Sequence, residues 1–169
     1  SGALSDYEQA ISINRNDAGA YRSRASLQKR IRNYIAAESD YAKIIDIDSK
    51  DLNAYLMRGD LRIKLNNYAG AERDYGKVIE INPNDLNALY NRGNTRINLK
   101  DFTGAIDDYN KVIDIAPDHL NSYRNRAIAK WHLGDEIGSC NDRKKLIQFG
   151  DKEVENWIKT LPGAWCREI

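Results

Sequence analysis

A repeat with a period of 34 residues runs through the chain and constrains its fold more than any other feature of the sequence. When the sequence is written in blocks that begin at residues 18, 52, 86 and 120, the same residue types fall into columns. A fixed period of roughly 20 to 50 residues is the signature of a repeat architecture, in which each repeat is one supersecondary unit. The clearest columns are Ala3, Ala37, Ala71 and Ala105; Tyr7, Tyr41, Tyr75 and Tyr109; and Ile11, Ile45, Ile79, Ile113 and Ile147.

Within each block the apolar residues recur with the spacing of an amphipathic helix rather than the alternation of a strand. In residues 86–119 one apolar series ends at Leu99 and a second begins at Phe102. Segments that contain Pro83 or Pro117 then interrupt the pattern, and they supply residues that can cap the next helix. Each block therefore predicts a helix, a tight turn and an antiparallel helix, and stacked blocks bury a core that one pair could not bury alone.

This periodicity also predicts how the chain is organised. It assigns one complete repeat to each of residues 18–51, 52–85 and 86–119. Residues 120–153 form a degenerate fourth repeat, in which Glu136 stands where an aromatic residue is expected and Ser139 where alanine is expected. We expect residues 154–169 to form a capping helix and a tail.

The first segment, residues 1–17, matches only the second helix of a repeat. We interpret it as half of a truncated repeat, so that a targeting signal could lie outside this sequence and the compartment is not predicted. The alternative is a natural N-terminal cap, which would be polar on its outer face. An apolar face left open on this helix predicts self-association.

The columns resemble those of the tetratricopeptide repeat family. That family has a small residue midway along the first helix, an aromatic residue at the start of the second, then alanine, an aromatic residue, and proline at the exit. The resemblance covers nearly the whole chain and implies an all-α fold, a right-handed α-solenoid of stacked antiparallel helix pairs whose first helices line a peptide-binding groove. The residues that carry it include Gly59 and Gly93; Tyr34, Tyr68 and Phe102; and Pro83 and Pro117.

Composition and motifs argue against several functions. The chain has 26 Lys and Arg against 25 Asp and Glu, and this balance does not predict a nucleic-acid binder. No apolar run is long enough to span a membrane. No phosphate-binding loop, dinucleotide fingerprint or metal-ligand cluster occurs, so we expect no cofactor and no enzymatic activity.

The two cysteines are Cys140 and Cys166. Cys140 with His132 is the one conceivable nucleophile–base pair, and it lies in the degenerate repeat. Cys140 is either a small core residue or a disulfide partner of Cys166, and a bridge would imply an oxidising compartment.

Arginine and aspartate occupy two further columns, in which each arginine follows the aspartate of the preceding block, as Arg58 follows Asp40. One interpretation is a row of arginines that holds an acidic ligand. We favour the other, in which each arginine pairs with that preceding aspartate and ties one repeat to the next, because partly buried charges need partners. The members are Asp6, Asp40, Asp74, Asp108 and Asp142, with Arg24, Arg58, Arg92 and Arg126.

The first helices carry twelve basic residues and a single acidic residue, Asp60. Without the four column arginines, eight basic residues remain on the helices that are expected to line the groove. This imbalance predicts a positive concave side that favours an acidic peptide. The alternative is that these are ordinary solvated helix faces.

The family's ligand-facing positions can be transferred to this sequence one by one. They place basic residues at one end of the groove and asparagines in the middle, and an asparagine amide can both donate to and accept from a peptide backbone. The resemblance therefore implies a non-enzymatic protein–protein interaction module. The alternative function is a structural spacer that works through its ends or convex face. The implied groove residues are Arg22, Ser26, Lys29, Arg30, Asp60, Lys64, Tyr90, Asn91, Asn94, Asn98, Arg124, Asn125 and Trp131.

One subfamily can be tested directly on the sequence. Chaperone-binding members hold a C-terminal carboxylate with Lys and Asn, then Asn, then Lys and Arg, on three successive first helices. The corresponding residues here are Arg22, Ser26, Met57, Asn87 and Asn91, so the carboxylate clamp is not matched.

Overall fold

A computed structural model of the chain describes residues 2–160 and Cys166. These residues form ten α-helices and no strand. The tail residues 161–165 and 167–169, for which a course along the last helix or into the groove was considered, lie outside the described residues. The helices are α1 (Gly2–Ile13), α2 (Ala18–Arg30), α3 (Tyr34–Ile47), α4 (Leu52–Lys64), α5 (Tyr68–Ile81), α6 (Leu86–Asn98), α7 (Phe102–Ile115), α8 (Leu120–His132), α9 (Glu136–Gln148) and α10 (Lys152–Lys159).

Side-chain caps fix where the helices begin. Asp51 accepts a hydrogen bond from the Ala54 N–H at 2.8 Å, and Asp85 accepts one from Ala88 at 2.9 Å. These bonds satisfy N–H groups that have no partner inside the helix. The same arrangement recurs at α2 to α10, with His119 in place of the usual Asp or Asn before α8.

The turn between the two helices of a repeat uses one residue in the left-handed region. Arg32, Asn66, Lys100 and Gly134 have φ angles of 60°, 57°, 62° and 78°. A non-glycine residue in this region is disfavoured by about 1–2 kcal/mol. Three of the four turns nevertheless have one, because this conformation reverses the chain over a short loop. The reversal places each second helix antiparallel to the first.

Close packing within the two middle repeats depends on a glycine. A Cβ atom on Gly59 would lie 2.8 Å from the Tyr75 ring, and one on Gly93 would lie 2.7 Å from the Tyr109 ring. Both tyrosines are at most 1% exposed, so the rings fill the space that a side chain on the facing helix would need. The small-residue column and the tyrosine column are thus two sides of one contact.

The chain divides into two compact units. Unit 1 ends at Pro83 and contains α1–α5, with a core around Tyr41, Ile44 and Leu61. Unit 2 begins at Asn84 and contains α6–α10. In each unit, adjacent helices pack as pairs, as the periodicity predicts. Over the described residues, the helices are too short or too polar to cross a membrane.

Unit 2 ends in a disulfide-linked cluster. Cys140 and Cys166 form a disulfide with their Cα atoms 5.5 Å apart, and both side chains are fully buried beside Ile158. The bridge joins α9 to the tail, so of the two interpretations of Cys140 the disulfide is correct. Trp157 of α10 packs on the same cluster, and the Arg143 guanidinium lies 4.7 Å from the centre of its ring.

Candidate functional site

The arginine and aspartate columns form ion pairs, but not in the register that the sequence suggested. Arg58 donates to both carboxylate oxygens of Asp74, at 3.0 Å from Nε and 2.6 Å from Nη2. The partner is therefore the aspartate of the same repeat, and the expected pairing with Asp40 of the preceding repeat was wrong. Each of these arginines has one column aspartate 18 residues before it and another 16 residues after it in the sequence. The antiparallel reversal at the turn brings the second of these aspartates to the arginine. The pairs are Arg24–Asp40, Arg58–Asp74, Arg92–Asp108 and Arg126–Asp142.

Five of the eight remaining first-helix cations also have carboxylate partners. Arg62, for example, lies 2.6 Å from Glu38 and 2.9 Å from Asp74. Arg96 and Lys130 share Asp108 and Asp142 with column arginines, so these bonds reduce the excess positive charge that the sequence suggested for the groove-lining helices but do not cancel it. The pairs are Arg22–Asp51, Arg62–Glu38, Arg96–Asp108, Arg124–Asp151 and Lys130–Asp142.

Three cations are left, and all belong to unit 1. Lys29 and Arg30 end α2, and Lys64 ends α4. All three are exposed, and no acidic side chain among the described residues lies within ion-pair distance of them. Positive charge at a helix C-terminus is stabilised by the helix dipole, so these side chains need no carboxylate partner to be accommodated. We call them the unit 1 cations.

In unit 1 a carboxylate accepts the hydrogen bond from the tyrosine column. The Tyr75 hydroxyl donates to Asp60 Oδ1 at 2.8 Å, and burial together with the neighbouring Asp60 carboxylate raises the pKa of Tyr75. Arg22 is bonded to Asp51 and to Asn53, and Ser26 is exposed. Of the predicted groove residues in this unit, the unit 1 cations are therefore the ones that retain free positive charge.

In unit 2 amides replace that carboxylate. Asn94 occupies the position of Asp60, and its Oδ1 accepts from the Tyr109 hydroxyl at 2.8 Å and from Asn125 Nδ2 at 2.7 Å. Asn125 also donates to the Tyr90 hydroxyl at 3.2 Å. Burial raises the pKa of Tyr109 above its ordinary value. We call these four residues the amide node.

The amide node keeps hydrogen-bonding capacity that no described residue uses. Asn94 Nδ2 and Asn125 Oδ1 have no hydrogen-bond partner among the described residues. Both atoms are accessible to solvent. A donor and an acceptor thus stand side by side on adjacent first helices. This is the pair of groups that one residue of an extended peptide backbone needs.

An apolar hollow adjoins the amide node. A pocket of about 190 Å³ is lined by Asn94, Asn98 and Asn125 on its polar side and by Ile97, Ile128 and the Tyr109 ring on its apolar side. Sequence reasoning missed Ile97 and Ile128 as site residues. The signal in the sequence was Ile128, an isoleucine in a column otherwise filled by the polar residues Ser26, Asp60 and Asn94. In the structure Ile128 is 40% exposed.

The other predicted residues of unit 2 are only partly brought to this site. Asn98 donates to the Asn94 carbonyl at 2.9 Å and lines the pocket, whereas Asn91 is half-buried and its carbonyl accepts from Thr95. Arg124 is held by Asp151 at 2.6 Å. Trp131 is 45% exposed and does not line the pocket.

The one residue pair that suggested catalysis is not assembled. Cys140 is bonded to Cys166, and the His132 ring stacks on Phe102 with ring centres 4.5 Å apart. Cys140 and His132 therefore do not form a nucleophile–base pair. No group of three or more metal-ligating side chains occurs in the part of the chain that the structure describes.

Family comparisons agree with this geometry. Sequence models of the tetratricopeptide repeat match residues 52–85 and residues 86–119, and the matched boundaries coincide with the two complete middle blocks of the periodicity. The chain therefore contains two tetratricopeptide repeats, at residues 52–85 and 86–119. Its fold is that of a protein–protein interaction module, and members with this fold typically act as non-enzymatic scaffolds. A comparison with curated protein sequences gives no match.

Several solved tetratricopeptide repeat structures share the fold. A structure described as YrrB, "a TPR protein with an unusual peptide-binding site", aligns with a TM-score of 0.83 at 19% identity, over 94% of this chain and 82% of that one. A structure of MamA aligns with a TM-score of 0.82 at 19% identity, over 91% of this chain and 90% of that one. The first TPR of Spaghetti (RPAP3), bound to the HSP90 peptide SRMEEVD, aligns with a TM-score of 0.65 at 21% identity, over 69% of this chain and 93% of that one.

Proposed function

We propose that this chain is a non-enzymatic recognition module that binds an extended segment of a partner protein through the exposed side of its first helices. The amide node of unit 2 carries the proposal. Its free donor on Asn94 and free acceptor on Asn125 can form two hydrogen bonds with a peptide backbone without reading the peptide's side chains. Such bonds require an extended backbone, because a helical peptide satisfies these groups internally.

The adjoining pocket adds a preference for one apolar side chain. Its volume of about 190 Å³ and its walls of Ile97 and Ile128 suit an aliphatic side chain such as leucine or valine. Burying such a side chain contributes about 1.5–3 kcal/mol, which is comparable with the contribution of the two backbone bonds. An apolar residue bonded to the amide node is therefore the central element of the proposed ligand.

The proposed preference for an acidic ligand rests on the unit 1 cations. Lys29, Arg30 and Lys64 are the first-helix cations without a carboxylate partner among the described residues. An acidic partner segment would be attracted by them, mainly in its association rate and more strongly at low salt. The other five cations have carboxylate partners, so the proposed attraction for an acidic ligand is confined to the C-terminal ends of α2 and α4.

Two of the structural neighbours support a peptide ligand. YrrB is described by its peptide-binding site, and the RPAP3 repeat holds SRMEEVD, a peptide with three acidic residues. We do not propose a chaperone tail for this chain, because Ser26 and Met57 occupy positions where the carboxylate clamp has asparagine. The partner is instead proposed as a peptide segment that presents an apolar residue and acidic residues.

The test begins with the isolation of a ligand. Random peptides displayed on phage are selected against the 169-residue chain, and the affinity of the recovered peptides is measured by fluorescence anisotropy. The double variant Asn125→Ala/Ile128→Ala leaves the Tyr109–Asn94 bond in place but removes the bonds from Asn125 to Asn94 and Tyr90, so thermal unfolding is measured beside binding to show that the variant is folded. We expect it to weaken binding by about tenfold or more, which corresponds to about 1.4 kcal/mol.

A matched control lies on the second-helix side of the same unit. Lys111 and Asp114 of α7 are both exposed, and replacing both with alanine alters the surface to a similar extent. We expect the control to bind as wild type does. Equal loss in both variants, or loss only in the control, would contradict the proposal and favour a scaffold that acts through its second helices.

A further inference from the structure

Helix α1 carries a complete second-helix face that unit 1 leaves open. Ala3, Asp6 and Tyr7 occupy the alanine, aspartate and tyrosine columns, yet Ala3 and Asp6 are exposed and Tyr7 is only half-buried. In α3 the corresponding residues have exposed fractions of 0%, 2% and 4%, and in α5 they have 0%, 2% and 1%. Identical residue types are therefore buried in two helices of unit 1 and exposed or only half-buried in the third.

The facing first helix accounts for the burial in both complete pairs of unit 1. In each pair an arginine followed by a small residue packs on the second helix. Arg58 bonds to Asp74 while Gly59 lies against the Tyr75 ring. Arg24 bonds to Asp40 in the same way, and Ala25, which follows it, is fully buried in the core that contains Tyr41. An Arg–Gly or Arg–Ala dipeptide is thus the complement of an Asp–Tyr pair on the facing helix.

The adjoining edge of α2 is also incompletely covered. Leu27 is half-buried, whereas the residues in its column at positions 61, 95 and 129 are at most 1% exposed. A groove of about 430 Å³ lies between α1 and α2, with Ala3, Tyr7 and Leu27 among its lining residues. No basic side chain among the described residues pairs with Asp6, the exposed residue that precedes Tyr7 on α1. The groove therefore combines an apolar strip of Ala3, Tyr7 and Leu27 with polar and basic side chains of α2, and the free carboxylate of Asp6 lies next to Tyr7 on α1. The α2 side chains are Arg22, Ser23, Ser26 and Arg30.

We propose that this groove binds one amphipathic helix from another protein segment, with an arginine placed on Asp6 and a following glycine or alanine placed on the Tyr7 ring. A second folded copy of this chain does not supply such a helix from the described residues, because each Arg–small dipeptide there is already used within its own repeat. These dipeptides are Arg24–Ala25, Arg58–Gly59, Arg92–Gly93 and Arg126–Ala127. The ligand is therefore a helix, unlike the extended segment proposed for the amide node.

The probe is a fluorescein-labelled peptide with the sequence of residues 52–65, which contains Arg58 and Gly59. Its binding to the full chain is measured by fluorescence anisotropy. We expect the peptide variants Arg58→Glu and Gly59→Leu, and the protein variant Asp6→Arg, each to weaken binding by about tenfold or more. Binding of the Arg58→Glu peptide by the Asp6→Arg protein should restore the affinity, because that pair reverses both charges. This rescue distinguishes docking on α1 from displacement of the chain's own α4.

A short peptide pays an entropic cost to become helical, so a second measurement presents the helix covalently. Residues 86–102 are fused in front of Ser1, which places Arg92 and Gly93 in register with Asp6 and Tyr7. We expect higher resistance to urea and slower amide exchange in α1 than in the same fusion carrying Arg92→Glu and Gly93→Leu. Equal urea midpoints and equal exchange for the two fusions would overturn the proposal. Self-association of the unmodified chain that Asp6→Arg abolishes would also overturn it, in favour of a second copy as the ligand.

Discussion

The two units share one framework but present different chemistry on their first helices. In both units an arginine bonds to a buried aspartate, and a glycine lies against a buried tyrosine. In unit 1 the hydroxyl of that tyrosine meets the Asp60 carboxylate, whereas in unit 2 it meets the Asn94 amide. Unit 1 also keeps the free cations, whereas in unit 2 Arg92, Arg96, Arg124, Arg126 and Lys130 all have carboxylate partners.

This difference shows how a repeat can change its ligand without changing its fold. The tyrosine hydroxyl needs an acceptor, and either a carboxylate or an amide oxygen supplies one at 2.8 Å. Only the amide adds N–H donors, because an ionised carboxylate can accept but cannot donate. A single residue in the repeat can therefore convert an acceptor-only surface into one that can hold a peptide backbone.

The largest effect is expected where the two units are the same. Asp74 and Asp108 are each bonded to two arginines and are at most 2% exposed. Replacing either with asparagine leaves the mostly buried guanidinium of Arg58 or Arg92 without a counter-charge, so we expect the free energy of unfolding to fall by about 3–5 kcal/mol. Asp6→Asn is the control and should change it by less than about 0.5 kcal/mol, because Asp6 is exposed. Urea denaturation measures all three, and clearly unequal losses for Asp74→Asn and Asp108→Asn would break the equivalence of the two frameworks.

Reduction of the disulfide should destabilise the end of unit 2 and leave unit 1 unchanged. Cys140 and Cys166 close a loop with a sequence separation of 26, and a loop of that length corresponds to about 3.5 kcal/mol of stabilisation. We expect reduction to speed amide exchange in α9 and α10, while α2 to α4 of unit 1 keep their protection. The Cys140→Ser/Cys166→Ser variant should show the same loss without responding to reductant. Equal loss of protection in α2 to α4 would show that the two units unfold together.

Replacing the acceptor of the tyrosine hydroxyl should lower peptide affinity in unit 2 but not in unit 1. Asn94→Asp retains an acceptor for the Tyr109 hydroxyl but removes the free donor and adds negative charge, so we expect affinity for a selected acidic peptide to fall by about tenfold. Asp60→Asn in unit 1 should not lower the affinity. Fluorescence anisotropy at low and high salt checks both variants, with thermal unfolding to show that each is folded. An Asn94→Asp variant that binds as wild type would exclude the amide node as the ligand site.

The smallest effect concerns the buried tyrosines. Burial raises the pKa of both Tyr75 and Tyr109 above the ordinary value of about 10. The resulting stabilisation is fully present below pH about 10 and is lost as the pH rises, because the unfolded tyrosines then release protons that the folded ones retain. We expect stability to decline above that pH, and to decline less in the Tyr75→Phe/Tyr109→Phe variant. Urea midpoints between pH 8 and 11 test this, and the same decline in both proteins would contradict it.

Much of the framework could be predicted from the sequence because a repeat displays each requirement several times. A column of glycine or alanine facing a column of tyrosine indicates a close helix contact, and the structure places Gly59 on Tyr75 and Gly93 on Tyr109. The capping residues are equally local, since the Asp85 side chain bonds to the N–H of Ala88 in the first turn of the helix that it caps. These features need no knowledge of distant contacts.

The candidate site was less accessible to the same reasoning. The asparagines could be selected one by one, but the sequence did not indicate that Asn94 and Asn125 share a hydrogen bond or that Ile97 and Ile128 form a pocket beside them. The positive groove was predicted from a count of charges, and that count did not include the carboxylates that the second helices and interhelical turns contribute. Glu38 and Asp51, for example, neutralise Arg62 and Arg22.

The sequence by itself determined the repeat length, the helix pairs, their caps and the residues that fill the space between them, because all of these follow from periodicity and local hydrogen bonding. Only the tertiary structure decided which aspartate each arginine meets, which cations remain free and which amide atoms remain unused. Those outcomes depend on distances between side chains on different helices. A periodic pattern repeats both candidate aspartates equally often for every arginine and cannot choose between them.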